Sequence, residues 1–327
     1  MNTLQQSVDA IAAATGFSGV VRVDRGGEIE LAKAYGRADR GHGIPNTLDT
    51  QFAIASGGKG FTAVTVASLI AEGALELSTT ARSVLGADLP LIGDDVTVEH
   101  LLAHRSGIGD YLDEGAGHGI DDYVMPVPVH ELATTAQYLA VLDGHPAVFA
   151  PGERFAYCNS GYVVLALIAE RTSGISFHEL VRQRVCEPAG VVDTEFLRSD
   201  ELPGRAALGY LALDGVSRTN VFHLPVRGSG DGGIYSTAAD ISSFWNAFFA
   251  GRIVSTDWVA ELVRPRSERY GLGFWLPSDG VVALEGSDAG VSFRSVHDPV
   301  RGITHTVIAN ESDGAWPIGR LLVERVL

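Results

Sequence analysis

Strand-like runs stand at both ends of this 327-residue chain, with about 150 residues of helix and loop between them. Near the start, GVVRVDRGGEIELAKAYG reads as two antiparallel strands turning around Arg25 to Gly27. Towards the end, YGLGFWL, VVALEG, VSFRSVHD and ITHTVIAN are strand-like, and PIGRLLVERVL closes as a helix. Two ends that each supply a few strands are expected to share one antiparallel sheet flanked by helices. The expected architecture is therefore α/β plus all-α. Residues 1–75 and 226–327 form an α/β domain built from both termini, and residues 76–225 form a mostly helical lobe beside it. A cleft between the two is the natural place for a site.

Helical spacing of Leu4, Val8, Ile11 and Ala12 marks a helix ahead of the first strands. The run FTAVTVASLIAEG, from Phe61 to Gly73, is apolar nearly all round, as a helix buried inside a domain would be, and it places Ser56 at its amino-terminal end. Further helical segments are expected near Val98 to His104, His130 to Leu142, Gly161 to Thr172 and Phe177 to Cys186, and Ser236 or Thr237 suits a helix cap. There is no internal repeat, low-complexity tract or Pro-rich linker.

A hydrophobic fraction of 46% with 20% charged residues is enough for a sizeable core. The formal net charge of −16 makes nucleic acid and anionic membrane surfaces poor partners and suits a neutral or cationic small-molecule substrate better. The first residues lack a basic segment followed by an apolar run, and no apolar stretch approaches the ~20 residues of a membrane span. Cys158 and Cys186 are the only cysteines, so a disulfide framework is not expected and a reducing, cytoplasmic setting is. The sequence leaves the oligomeric state open.

Arginine supplies 22 of the 24 basic residues, and the two lysines are Lys33 and Lys59. Arginine holds its proton, whereas a lysine amine can release one, so a lysine three residues after Ser56 at a helix start is chemically pointed. The i, i+3 spacing puts both side chains on one face. A serine hydroxyl needs a base, and a neighbouring amine can act as one or, when charged, orient and polarise its surroundings. Tyr157-Cys158-Asn159 adds a phenol and an amide that project to the same side of an extended segment. Near an ammonium the phenol is expected to be depressed toward phenolate and serve as general base, while the amide donates to a substrate carbonyl.

QFAIASGGKGFTAVTVASLIAEGALEL, VTVEHLLAHRSGIGDY, FAPGERFAYCNSGYVVLALIAERTSG and GDGGIYSTAADISSF resemble, in order and spacing, the blocks of the class C β-lactamase-like, penicillin-recognising family. That family includes D-alanyl-D-alanine peptidases, family VIII carboxylesterases and D-amino-acid amidases. The resemblance runs from about Gly19 to about Asn310 and implies the β-lactamase/transpeptidase-like fold. It assigns Ser56 as nucleophile, Lys59 as its partner, Tyr157 as general base and acid, and Asn159 as a substrate-positioning amide.

The family's third motif is a Lys-Thr-Gly or His-x-Gly triad, and aligning LEGSDAG places Leu284, Glu285 and Gly286 there. A register shifted by two, with Gly286, Ser287 and Asp288, also lacks a basic residue. In the family that basic residue helps bind a substrate carboxylate, so β-lactam or peptide turnover should suffer more than simple ester or amide hydrolysis. The resemblance gives the oxyanion hole to the N–H groups of Ser56 and Ser287. Glu285 would bring a carboxylate near the site, favouring an amine-bearing substrate, or face solvent, and Arg294 would either replace the missing charge or be structural. His100 and His104 have metal-ligand spacing but no evident third ligand, and the family block treats them as structural. Cys158 is either a reactive thiol or a small buried residue. Neither GxSxG nor a P-loop occurs, and no cofactor is implied. Two readings stand: an acyl-enzyme hydrolase of a small ester or amide, and a catalytically weakened binding or regulatory protein of the same fold.

Overall fold

The structure, a computed structural model, describes residues 3–115, 117, 119–213 and 215–327. Helix α1 (Leu4–Thr15) is capped by Thr3, whose side chain accepts from the Gln6 N–H, and stops at Gly16 in the left-handed conformation. Strands β1 (Gly19–Arg25) and β2 (Glu28–Tyr35) form the hairpin read from the sequence. Helix α2 (Gly58–Ala71) follows the nucleophile turn and is buried along almost its whole length, and α3 (Asn159–Ser173) is a second buried helix beside it. Helix α4 (Ala238–Phe249) begins at Thr237, the cap expected. Strands β3 (Trp275–Ser278), β4 (Val281–Asp288), β5 (Val291–Asp298) and β6 (Ile303–Ala309) lead to the closing helix α5 (Ala315–Val326).

These strands make one six-stranded sheet in the order β2-β1-β6-β5-β4-β3, antiparallel throughout. The two ends of the chain thus meet inside it, where Val21 of β1 pairs with Val307 of β6. Alternation along the strands divides the core. Val21 and Val23 pack with Ile318 and Leu322 of α5 and Val8 of α1 on one face. On the other, Val20, Leu284, Phe293 and Ile308 join Phe61 of α2 and Phe244 of α4.

Three expectations need correction. In YGLGFWL only the end is strand. Tyr270 folds back to bridge Trp275, and Gly273, with φ of 90°, takes a conformation that ends the extended run. His130 to Leu142 is not one helix but short turns at 129–131 and 135–138 followed by Leu139–Leu142, because Thr134 and Gln137 cap a fresh start in its middle. The region expected to be helix and loop also contains a two-stranded ribbon, Tyr210–Leu213 with Val216–Thr219.

Candidate active site

Ser56 lies in a tight turn, Ala55–Gly57, that runs directly into α2. Ala55 has φ of 46°, a conformation an alanine adopts only when its surroundings impose it. Two segments impose it here. A Cβ at Gly286 would lie 2.8 Å from the Ser56 nitrogen and 2.3 Å from the Ile54 oxygen, and one at Gly232 would lie 2.7 Å from the Ala55 oxygen. The nucleophile turn is therefore clamped between β4 and the 230–233 loop at distances only glycine permits.

One helical step on, Lys59 is 2% exposed and carries three hydrogen bonds. Its Nζ donates to Ser56 Oγ at 2.9 Å, Asn159 Oδ1 at 2.8 Å and the Asp231 carbonyl at 2.6 Å. Tyr157 also meets Ser56, by a hydrogen bond to its hydroxyl. The Tyr157 ring stacks on Trp275, centroids 5.9 Å apart, and on His104 at 4.3 Å, with the Lys59 ammonium 4.9 Å from its own centroid. Contrary to expectation, the phenol is not depressed toward phenolate. Burial and then the Glu114 charge push its pKa well above the ordinary tyrosine value, and the Ser56 hydrogen bond opposes them only in part.

Asn159 opens α3, and its N–H and that of Ser160 both donate to the Asp110 carboxylate at 2.8 Å, which caps a helix end that has no side-chain cap of its own. Burial raises the Asp110 pKa despite these bonds. The Asn159 amide nitrogen, expected to meet a substrate carbonyl, donates instead to Leu112 O at 2.9 Å and Glu114 Oε1 at 3.2 Å. In this arrangement Asn159 holds Lys59.

The third-motif residues divide by strand alternation. Leu284 is 2% exposed and fills the notch at Gly60, where an added Cβ would come 2.6 Å from its Cδ2, so it belongs to the core and not to a substrate surface. Glu285 forms an ion pair with its cross-strand partner Arg294 at 3.1 Å, on the face where Arg294 meets Gly319 of α5. Neither a free carboxylate nor a substitute cation is thereby delivered to Ser56. Gly286 is the close-approach residue, and Ser287 Oγ reaches the Ser312 carbonyl at 3.5 Å. Asp288 ends β4 and lines the same cleft as Ser56 and Asn159.

That cleft also exposes Tyr111 and Asp231, whose side chains hydrogen-bond each other. Leu112, Ile120, Met125, Leu197, Leu224 and Val226 make much of its wall apolar. Sequence reasoning did not single out Asp110, Tyr111, Glu114 or Asp231 as site residues. They arrive on two loops far apart in the chain; Asp110, Tyr111 and Asp231 fall inside the family-like blocks VTVEHLLAHRSGIGDY and GDGGIYSTAADISSF, which gave them no role. His100 and His104 do not converge. His100 Nδ1 accepts from the Thr97 N–H at 3.3 Å, while His104 is buried beneath Tyr157 and accepts the Cys158 N–H at 3.0 Å. Cys158 is buried, with its thiol pKa pushed up by that burial, and so lacks the thiolate a reactive cysteine needs.

A family model described as Beta-lactamase matches residues 4–319. The chain belongs to the beta-lactamase family. Within that family it is 30% identical over 266 residues to penicillin-binding protein PbpX of Bacillus subtilis, covering 80% of this chain and 62% of that one. It is 34% identical over 206 residues to esterase EstB of Burkholderia gladioli, covering 58% and 49%. The chain thus spans about half to three-fifths of the length of these curated relatives. Among solved structures, a penicillin-binding protein from Bacillus halodurans superposes with a TM-score of 0.91 at 33% identity, over 97% of this chain and 99% of that one. Among the described residues no helix is long and apolar enough to cross a membrane.

Proposed function

We propose that this beta-lactamase-family protein is a serine hydrolase that forms an acyl-enzyme on Ser56 and hydrolyses a small ester or amide. The observation that carries the proposal is the buried Lys59 ammonium 2.9 Å from Ser56 Oγ, with Tyr157 on the same hydroxyl. The reactive form is the one in which the Lys59–Tyr157 pair has given up one proton: Ser56 then attacks the substrate carbonyl as its proton fills that vacancy, and the pair, through Tyr157, passes the same proton to the leaving group. Water then repeats the sequence on the acyl-enzyme. For the oxyanion, β4 and β5 form a hairpin closed by Asp288 and Val291, so alternate residues turn their N–H groups away from β5. Ser287 is among these, and its N–H is directed to the edge where Gly286 touches the Ser56 nitrogen. The relatives include an esterase and penicillin-binding proteins, which supports this substrate range. The two free, buried cysteines support a reducing, cytoplasmic setting.

A second reading, a binding or regulatory protein with weakened catalysis, is favoured by the absence of any basic residue from Leu284 to Asp288. Labelling with a fluorophosphonate, read by intact mass and peptide mapping, separates the two. A single adduct on Ser56, lost in Ser56→Ala together with turnover of p-nitrophenyl esters by ~10³-fold or more, supports the hydrolase. Absence of an adduct on the folded protein, or undiminished turnover by Ser56→Ala, overturns it.

A further inference from the structure

Asp288 differs from the other carboxylates around the site. Asp110 is held by two backbone N–H groups, Asp231 by the Tyr111 hydroxyl and Glu114 by the Asn159 amide. The Asp288 carboxylate makes no hydrogen bond or ion pair with any described residue, although it is recessed and lines the cleft that contains Ser56. Lys59 attracts it through space but gives it no hydrogen bond, because its three donors are committed to Ser56, Asn159 and the Asp231 carbonyl. A recessed carboxylate without a partner is costly, and it gains most from a ligand that brings a positive charge.

Resting on the hydrolase reading above, we infer that Asp288 selects substrates carrying a protonated amine, which it receives as an ion pair while the apolar wall takes the rest of the substrate. One unengaged carboxylate among Leu112, Ile120, Met125 and Leu224 suits an organic ammonium. A metal ion would demand several oxygen ligands, and the neighbouring ones are already engaged. Burial, followed by the Asp231 charge, raises the Asp288 pKa to about 7, so an arriving ammonium also draws the group into its ionised form. A carboxylate-bearing substrate would meet the same charges as repulsion.

The test uses matched esters. Phenylalanine methyl ester is compared with methyl 3-phenylpropanoate, placing the amine on the acyl side. The 2-(dimethylamino)ethyl ester of 3-phenylpropanoate, protonated near neutral pH, is compared with its neutral 3-methylbutyl ester, placing the ammonium on the leaving side. We expect kcat/KM to favour the cationic member of at least one pair, and Asp288→Asn to reduce that preference by roughly 10- to 150-fold, the range for a lost charge-assisted contact. Which pair responds tells which side of the ester carries the amine. Binding of 2-phenylethylammonium to the Ser56→Ala protein, measured by calorimetry, needs no turnover and should weaken at least tenfold when Asp288→Asn is added. An unchanged preference and unchanged affinity in Asp288→Asn overturn the inference even where neutral esters acylate Ser56. A failure of the hydrolase reading would show differently, as absence of any Ser56 adduct while ammonium binding persists.

Discussion

Lys59 holds the three groups that the mechanism needs in register, and the fit of its ammonium to Ser56, Asn159 and the Asp231 carbonyl explains why a chain so rich in arginine has lysine here. Arginine at this position would keep the charge, but its planar fork is too large for acceptors 2.6–2.9 Å from one nitrogen, and it cannot take up a proton. Lys59→Arg should therefore slow acylation by ~10²- to 10⁴-fold in burst kinetics on an activated ester. Because burial holds the Tyr157 phenol protonated well above the ordinary range, the wild-type rate should climb with alkaline pH without levelling off below about pH 10. Tyr157→Phe should flatten that limb, and a pH-rate profile of both proteins checks it. Asp288 gives a stability counterpart. Its folded pKa of about 7 lies above the unfolded value near 3.8, so the folded protein holds a proton the unfolded chain has released. Stability from this group is full below about pH 4 and declines as pH rises through about 7, by up to a few kcal/mol. Asp288→Asn should then raise Tm at pH 8 by several degrees and scarcely change it at pH 4, which thermal unfolding at the two pH values measures.

At the level of elements, the nucleophile turn, β4 and the 230–233 loop work as one clamp. Gly286→Ala would drive a methyl into the backbone of Ile54 and Ser56, and since neither neighbour is a flexible side-chain tip, β4 must move. We expect a loss of ~1–3 kcal/mol in denaturant unfolding and a larger proportional loss of activity, because the displaced strand carries Ser287. Leu284→Lys should not restore a carboxylate subsite. The side chain points into the Gly60 notch, and burying an ammonium there should destabilise the protein while nitrocefin turnover stays below that of a short-chain ester. Much of this arrangement was legible in advance. The all-round apolar pattern of α2 and the spacing of Ser56 and Lys59 fix a buried helix with both side chains on one face, and the strand periodicities of β4 to β6 are plain. The direction of Glu285 was not legible, because a one-residue change of face is invisible without knowing which side of β4 meets α2. Nor were Asp231 and Glu114, since nothing in a loop's own sequence says which distant helix it will touch.

For the molecule as a whole, the decisive feature is that β1 and β6 pair inside the sheet, away from its edges, while α1 and α5 cover one face together. Leu322 is fully buried in that layer with Val8, Val21 and Val307, on the opposite face of the sheet from α2 and the nucleophile turn. Leu322→Ala should cost ~2–5 kcal/mol in unfolding free energy, yet leave the acylation rate at low temperature close to wild type, which urea melts and stopped-flow acylation can separate. The same pairing has a consequence during synthesis. β1 leaves the ribosome about 280 residues before β6 exists, an interval of roughly 15–60 s at ordinary elongation rates. Through that interval the nascent β1–β2 hairpin has an apolar strand edge with no neighbour, which is open to capture by another nascent chain. Yield in a cell should therefore depend on translation speed and on holding chaperones far more than the stability of the finished protein would suggest.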